Sequence, residues 1–398
     1  MSGIGALHES YRSEGTWPVG VLYSRSGITA IAEISQLQGT LLAISEINDA
    51  GGVLGKPISP LILDPASDPQ RYTQLASSLL MDRGVTNIFG CSASYSRKAV
   101  VPVVEHRGGL LWYSIGYEGF EYSSNVIYTG PAPNQLHLPL AEYLFPRYGR
   151  KLMCVGTDYL FPRESNRIMR DLLSEIGGNI VGEYYLPFGA QRDAFLDAIK
   201  EARLLGADVI FSTVVGPGIA ALYDAYAVEK LDPAVMPIAS LTTNEAHLQE
   251  MWFEPRPGHI VSAPYFETVQ SPRNNSFVAN YHQRFGAKRP ADACAEAAYF
   301  TVLLFARALE RAGTLDPEWL RAQVLGLEVS APQGVVMVDP DNSHTYLWPR
   351  IGKTVAGRKF EVVAEFKKSM KPDPYLVNYV GLGRIDRDHG QEEMDNVR

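Results

Sequence analysis

The chain has 398 residues, 46% hydrophobic and 20% charged, which is room for more than one buried core and the composition of an ordinary globular protein. Its formal net charge of -8, with no clustered Lys/Arg excess, excludes a nucleic-acid-binding surface as the chain's own activity, because neutralising phosphates needs basic clusters. Three widely spaced cysteines, Cys91, Cys154 and Cys294, exclude a disulfide framework and read as small buried apolar residues.

The opening MSGIGALHESYRSEGTWPVG has no basic segment followed by an apolar stretch, and no later segment is apolar for long enough to span a bilayer. On that pattern the chain is expected in the cytoplasm, with residues 1–16 as an extension. From Trp17 onward, apolar runs alternate with amphipathic segments, the signature of parallel sheets with crossover helices. Residues 17–23, 57–64, 87–90, 110–114 and 125–130 read as strands, and 30–49, 69–83 and 95–107 as helices. In the first helix Ile34, Leu37, Leu41, Leu42, Ile44 and Ile47 fall mostly on one face, and Gly51-Gly52 stops it.

The order restarts after Gly130. Strands are expected at 151–156, 179–187, 208–215, 236–241 and 259–266, and helices at 135–147, 164–176, 193–204, 218–228 and 244–251. Two rounds of the same element order predict two similar α/β lobes. Helical segments at 274–285 and 292–313 and strands at 334–339, 345–351 and 359–366 follow. The charged end, with RIDRDHGQEEMDNVR, is expected to be a disordered tail.

Enzyme signatures are absent. There is no phosphate-binding loop, no Gly-x-Gly-x-x-Gly after a strand, no His-Glu-x-x-His and no Gly-x-Ser-x-Gly, and the eight histidines are scattered singly. No cofactor or metal is therefore called for, and no catalytic residue. What the sequence offers is Tyr, Ser and Thr at the carboxyl ends of expected strands, where open α/β sheets take ligands. Ser24, Ser26, Ser92, Ser94, Tyr113, Ile115 and Gly116 stand at such ends in the first half; Tyr159, Phe161, Ser212-Thr213, Thr242-Thr243 and Tyr265 in the second. Hydroxyls and helix-starting N–H groups donate without charge, so the implied ligand is small, polar and neutral or weakly charged. A plainer reading stands beside each. Ser24, Ser26, Ser212 and Thr213 suit helix caps, Tyr113, Tyr159 and Phe161 suit core packing, Arg97 and Lys98 suit a solvated face, and Glu296 among small apolar neighbours suits a cap or a pair.

The strings GTDYLFPRES (156–165), SRKAVVPVVE (96–105), YEGFEYSSNVIYTGPAPNQ (117–135), FSTVVGPG (211–218), ASLTTNEA (239–246), AEAAYF (295–300), APQG (331–334) and KPDPYLV (371–377) resemble the amide-sensing regulators of aliphatic amidase operons, relatives of transporter solute-binding proteins. The resemblance runs from about Val19 to Val377. It implies a type I periplasmic-binding-protein fold, two doubly wound parallel-sheet lobes joined by a three-segment hinge, with crossings near 127–131, 261–265 and 333–336. Residues 17–127 with 265–333 would form the N-terminal lobe, 128–264 with 334–377 the C-terminal lobe, and 378–398 the tail.

The same resemblance implies a short aliphatic amide or urea-like ligand in the cleft, an RNA-binding antiterminator protein as partner, no direct contact with nucleic acid or membrane, and a homo-oligomer. It places the pocket on Ser92, Ser94, Tyr113, Ile115, Gly116, Tyr159 and Phe161. Ser92, Ile115, Gly116 and Phe161 depart from the pattern, which has Tyr, Thr, Pro and Tyr there. The alternative is a solute-binding subunit of a urea or short-amide uptake system.

Overall fold

The computed structural model describes residues 15–376, so the expected extension and tail lie almost wholly outside the described residues. The chain divides into two compact units: 15–116 with 122–130 and 269–346, and 117–121 with 131–268 and 347–376.

The first unit opens with β1 (Trp17–Leu22), α1 (Ala30–Asp49), β2 (Ile58–Leu63), α2 (Pro69–Met81), β3 (Asn87–Gly90), α3 (Ser94–Arg107), β4 (Leu110–Tyr113) and β5 (Val126–Tyr128). These strands form one parallel sheet of order β2-β1-β3-β4-β5. Apart from Asn87, the fully buried side chains of these strands are apolar or aromatic, as a sheet covered by crossover helices requires.

The second unit then runs α4 (Asn134–Leu144), β6 (Lys151–Thr157), α5 (Leu160–Glu175), β7 (Asn179–Leu186), α6 (Arg192–Leu204), β8 (Val209–Thr213), α7 (Gly218–Val228), β9 (Ile238–Ser240), α8 (Glu245–Gln249) and β10 (Ile260–Ala263). The chain returns to the first unit with α9 (Pro272–Phe285), α10 (Ala293–Ala312), α11 (Pro317–Val324), β11 (Glu328–Ala331), β12 (Gly334–Val338) and β13 (Thr345–Tyr346). It ends in the second with β14 (Arg350–Val355) and β15 (Lys359–Glu365).

In the first unit α10 lies along α1. A methyl group on Gly39 would sit 2.0 Å from the Ala295 carbonyl oxygen, so only glycine lets these helices approach so closely. Phe305 of α10 meets Phe89 and Trp112 edge to face at 5.2 and 5.5 Å, seating that helix on the sheet. Glu296, odd in the sequence, is buried and accepts hydrogen bonds from the Gln333 backbone N–H and Nε2 at 3.2 and 2.9 Å. It ties α10 to the β11–β12 turn.

Besides α11 and β11, which the sequence reading did not foresee, four details differ from it. The second sheet, β15-β14-β10-β9-β8-β6-β7, is not wholly parallel, because β14 and β15 join its edge antiparallel. The single strand expected at 345–351 is broken by Trp348-Pro349 into β13 and β14. Residues 334–346, assigned by sequence to the C-terminal lobe, group with the first unit, where β12 pairs with β11 and β13 and the His344 ring stacks on Tyr128 at 4.2 Å. Finally, α5 begins at Leu160 rather than 164. Phe161 and Pro162 are thus in its first turn, where a missing proline N–H costs nothing.

Candidate functional site

The sheet register puts the ends of β3 and β4 side by side, Phe89 against Trp112. Five of the seven sequence-derived positions, Ser92, Ser94, Tyr113, Ile115 and Gly116, follow those ends and are brought together in the first unit. The turn between β3 and α3 is strained: Cys91 has φ of +69°, a region a β-carbon disfavours. It is held there by neighbours. The Ser92 N–H donates to Ser96 Oγ at 3.1 Å, and Ser96 Oγ donates to the Ala93 carbonyl at 2.8 Å. Ala93 provides no side-chain cap for α3, whose amino end follows Ser92 and begins at Ser94.

Tyr113 is fully buried. Its hydroxyl donates to the Ser92 carbonyl at 2.5 Å and accepts from Arg97 Nη1 at 3.1 Å, with the guanidinium 5.1 Å from the ring centre. The sequence reading of Arg97 as a solvated residue is therefore corrected: it is fully buried, whereas Lys98 is exposed. Its signal was in the helical spacing, since Arg97 shares a face with Val100, Val101 and Val104 of α3. Arg97 puts a permanent positive charge against the Tyr113 hydroxyl. Beyond Tyr113, Ser114 Oγ accepts from Gln36 Nε2 at 3.0 Å and lies 3.3 Å from the Tyr23 hydroxyl. Ile115 and Gly116 follow, partly exposed.

Tyr159 and Phe161 belong to the second unit and form a set of their own after β6. Tyr159 takes the N-cap position of α5 with extended φ of -160°, and its half-buried ring lies 5.0 Å from Phe188 and 6.4 Å from Phe161. Phe188, two residues past β7, was missed by the sequence reading although the strand-end rule points to it. Gly156 lets the set close: a methyl there would lie 2.6 Å from Thr213 Oγ1 and 2.8 Å from Pro162 Cβ.

The expected caps are used otherwise. Ser24 Oγ bonds to Tyr72, Ser212 Oγ accepts the Val214 N–H, and Thr213 Oγ1 donates to Asn166. Among the described residues no cluster of His, Cys, Asp or Glu could hold a metal ion, and no helix is long and apolar enough to cross a membrane.

A model of the family described as periplasmic binding protein domain matches residues 17–380. The leucine-, isoleucine-, valine-, threonine-, and alanine-binding protein of Pseudomonas aeruginosa is 24% identical over 313 residues, 76% of this chain and 81% of that protein. A Leu/Ile/Val-binding protein homolog of Brucella melitensis is 21% identical over 286 residues, 70% of this chain and 73% of its own. Among solved structures, a solute-binding protein of an ABC transporter from Rhodopseudomonas palustris BisB5, in complex with 3,4-dihydroxybenzoic acid, matches with a TM-score of 0.80 at 21% identity. That match covers 90% of this chain and 99% of the other. The fold expected from the sequence, two α/β lobes of the periplasmic-binding-protein type, is the one these structures share. The cytoplasmic placement is overturned, since the matching family is one of periplasmic binding proteins and the similar proteins are solute binders of that kind.

Proposed function

We propose, from the premise that this chain belongs to the periplasmic binding protein family, that it is the solute-binding subunit of an ABC-type uptake system and captures a small polar organic molecule without transforming it. One observation carries the reading: the strand-end set of the first unit, in which the Tyr113 hydroxyl joins the Ser92 carbonyl, before the amino end of α3, to the buried guanidinium of Arg97. Hydroxyl and N–H donors backed by a fixed positive charge suit a solute that presents oxygen, an amide or a carboxylate. The pocket is assigned to Ser92, Ser94, Tyr113, Ile115 and Gly116, with Tyr159 and Phe161 as an aromatic set. The strings shared with amide sensors favour a short aliphatic amide or urea-like solute. The side chains at Ser92, Ile115, Gly116 and Phe161 favour one longer or more apolar than acetamide.

A thermal-shift series with urea, acetamide, isobutyramide, L-leucine and 4-hydroxybenzoate tests this, because a ligand bound only by the native state raises apparent stability. The largest rise is expected with isobutyramide. A rise with L-leucine or 4-hydroxybenzoate alone would keep the transport role and replace the solute class. No rise with any of them would remove the binding role.

The same strings support a second reading: the amide sensor AmiC, a negative regulator whose bound amide alters its hold on an RNA-binding antiterminator, here as a homo-oligomer. The two readings part at the protein partner. Gel filtration after co-expression with the permease subunits, or with the antiterminator, with and without isobutyramide, separates them. An amide-responsive antiterminator complex would select the regulator.

A further inference from the structure

The second unit carries an apolar face that its own fold leaves uncovered. Leu204 is 84% exposed, Trp252 82% and Val235 71%, and Leu205, Val228 and Phe253 are exposed with them. A chain of contacts joins these residues. The Asp224 carboxylate of α7 accepts the Trp252 and Phe253 N–H groups at 3.2 and 3.0 Å, and Val228 lies one turn further along the same side of α7. Glu229 then meets Arg203, at the end of α6 and adjacent to Leu204, at 3.7 Å. On the other flank Arg256 Nη1 donates to the Leu231 carbonyl at 3.2 Å, and the Val235 N–H to the Asp232 carbonyl at 3.0 Å. These segments lead into β8, β9 and β10, so the face lies at the amino ends of those strands, away from the carboxyl ends that carry the aromatic set. Trp252 and Phe253 are held firmly. Besides Asp224, Arg358 Nη1 donates to the carbonyls of Leu248, Gln249 and Met251 at 2.7, 3.1 and 2.8 Å, and Glu254 accepts the Gly357 N–H at 2.6 Å.

We propose that a second copy of this chain docks on that face, in a two-fold dimer anchored by Trp252 and Val235. Area is the first argument. At roughly 150–250 Å² for a whole aromatic side chain and less for an aliphatic one, the uncovered parts of these six side chains amount to about 600 Å². The largest apolar patch of an ordinary monomer reaches about 300–600 Å², whereas a stable interface covers about 800 Å² on each partner, which this face attains with its polar rim. Charge is the second. The rim carries both signs, Arg203, Lys230 and Arg256 beside Glu229 and Asp232, and all but the half-buried Glu229 are exposed. A two-fold axis presents the same patch to itself, so a rim of mixed sign can set each charge against its opposite. An anionic lipid surface asks instead for an excess of Lys and Arg. The rigid mounting is the third, because aromatic anchors already fixed in place lose little freedom on docking, and tryptophan is enriched among the residues that dominate interface energy. The proposal stands apart from the solute reading, which concerns other residues.

The test is sedimentation equilibrium of the full chain over a micromolar concentration series, on wild type, Trp252→Asp, Val235→Asp and Trp319→Asp. Wild type is expected to sediment with twice the chain mass. Trp252→Asp and Val235→Asp each place two carboxylates in the contact, one per copy, and should raise the dimer dissociation constant about a hundredfold or more. Both side chains are exposed, so melting behaviour should stay that of wild type. Trp319, 62% exposed on α11 of the first unit, is the control, and Trp319→Asp should leave the dimer intact. A wild-type monomer throughout the series overturns the proposal, and so does a dimer that persists in both Trp252→Asp and Val235→Asp. Co-sedimentation of a monomer with vesicles of phosphatidylcholine and phosphatidylserine, lost in Trp252→Asp, would overturn it in favour of a lipid surface.

Discussion

The two strand-end regions solve the same problem in opposite ways. In the first unit, the groups after β3 and β4 are polar and buried, and each is braced: Tyr113 between the Ser92 carbonyl and Arg97, Ser114 between Gln36 and Tyr23, Cys91 in a strained turn. In the second, the groups after β6 and β7 are aromatic rings, half-buried or buried, that contact one another through their faces and edges. A buried hydroxyl without a partner costs about 1–3 kcal/mol, so a polar set must be assembled completely or not at all. Aromatic rings carry no such obligation. Substitutions of the buried groups should therefore cost folding as well as binding in the first region, and mainly binding in the second.

The sharpest way to break that contrast is Tyr113→Ala. It empties a fully buried ring and leaves the Ser92 carbonyl and Arg97 short of a partner, so a loss of about 3–5 kcal/mol in unfolding free energy is expected. Chemical denaturation checks it. A cost below that of the equivalent change at Tyr159 would reverse the assignment of rigid and adaptable regions.

The second prediction uses pH. In the second unit, burial lowers His137 and His247 to about 4 and His259 to about 3. His259 Nδ1 accepts the Ile238 N–H and His247 Nδ1 the Asn244 N–H, so a proton there would also remove an acceptor. A histidine lowered on folding contributes stability that is present above its unfolded value near 6.5 and is lost as the pH falls through its folded value. Each is worth on the order of 3 kcal/mol when fully titrated. Glu33 in the first unit has the opposite sign: raised to about 7, it contributes stability present below 4.5 and lost as the pH rises through 7. Glu142 of α4, also raised to about 7 by burial, offsets one histidine in the second unit. Between pH 6.5 and 4, hydrogen-exchange protection, corrected for intrinsic rates, should decline in peptides of the second unit and hold in those of the first. Equal decline in both would show that these groups do not set the acid response.

Those same groups mark where the sequence was legible. Period and strand-end position located nearly every long element and brought Ser92, Ser94, Tyr113, Tyr159 and Phe161 to strand ends, because both signals are local. What was missed depends on partners distant in sequence. Helical spacing puts Arg97 on the inward face of α3, but what receives its charge, Tyr113 16 residues on, no local signal names. Glu33 drew no reading from the sequence, because the Tyr72 hydroxyl that it accepts from arrives from 39 residues away. The short β11 and helix α11 carry too few residues to show a period, and the antiparallel edge is a matter of pairing that no single strand encodes.

A third change probes how the aromatic region closes. Gly156→Ala would press a methyl against Thr213 Oγ1 and Pro162, and overpacking of that kind costs about 1–3 kcal/mol. Because Pro162 sits in the first turn of α5, the strain should displace the start of that helix and weaken solute binding along with stability. Melting temperature and affinity measured on the same preparation check this. A drop in stability with unchanged affinity would mean that the start of α5 does not matter to the solute.

The smallest expected effect on the fold is Tyr159→Ala. Its ring is half-buried, and its main ring partners are Phe188 at 5.0 Å and Phe161 at 6.4 Å. Aromatic pairs of this geometry are worth about 0.5–1.5 kcal/mol beyond the area they cover, so about 1 kcal/mol of stability should be lost. Backbone geometry at the N-cap should survive, since an extended φ of -160° suits alanine and the tyrosine side chain makes no cap hydrogen bond. Binding is expected to respond more strongly than folding, because a small solute gains much of its affinity from a water-excluding wall. Calorimetry and denaturation on Tyr159→Ala, beside Tyr159→Phe, divide the ring from its hydroxyl. If Tyr159→Phe binds as wild type and Tyr159→Ala does not, the second region contributes shape alone. If both lose affinity equally, the hydroxyl at Tyr159 is a polar contact like those of the first unit, and the contrast between the two regions narrows to one of burial.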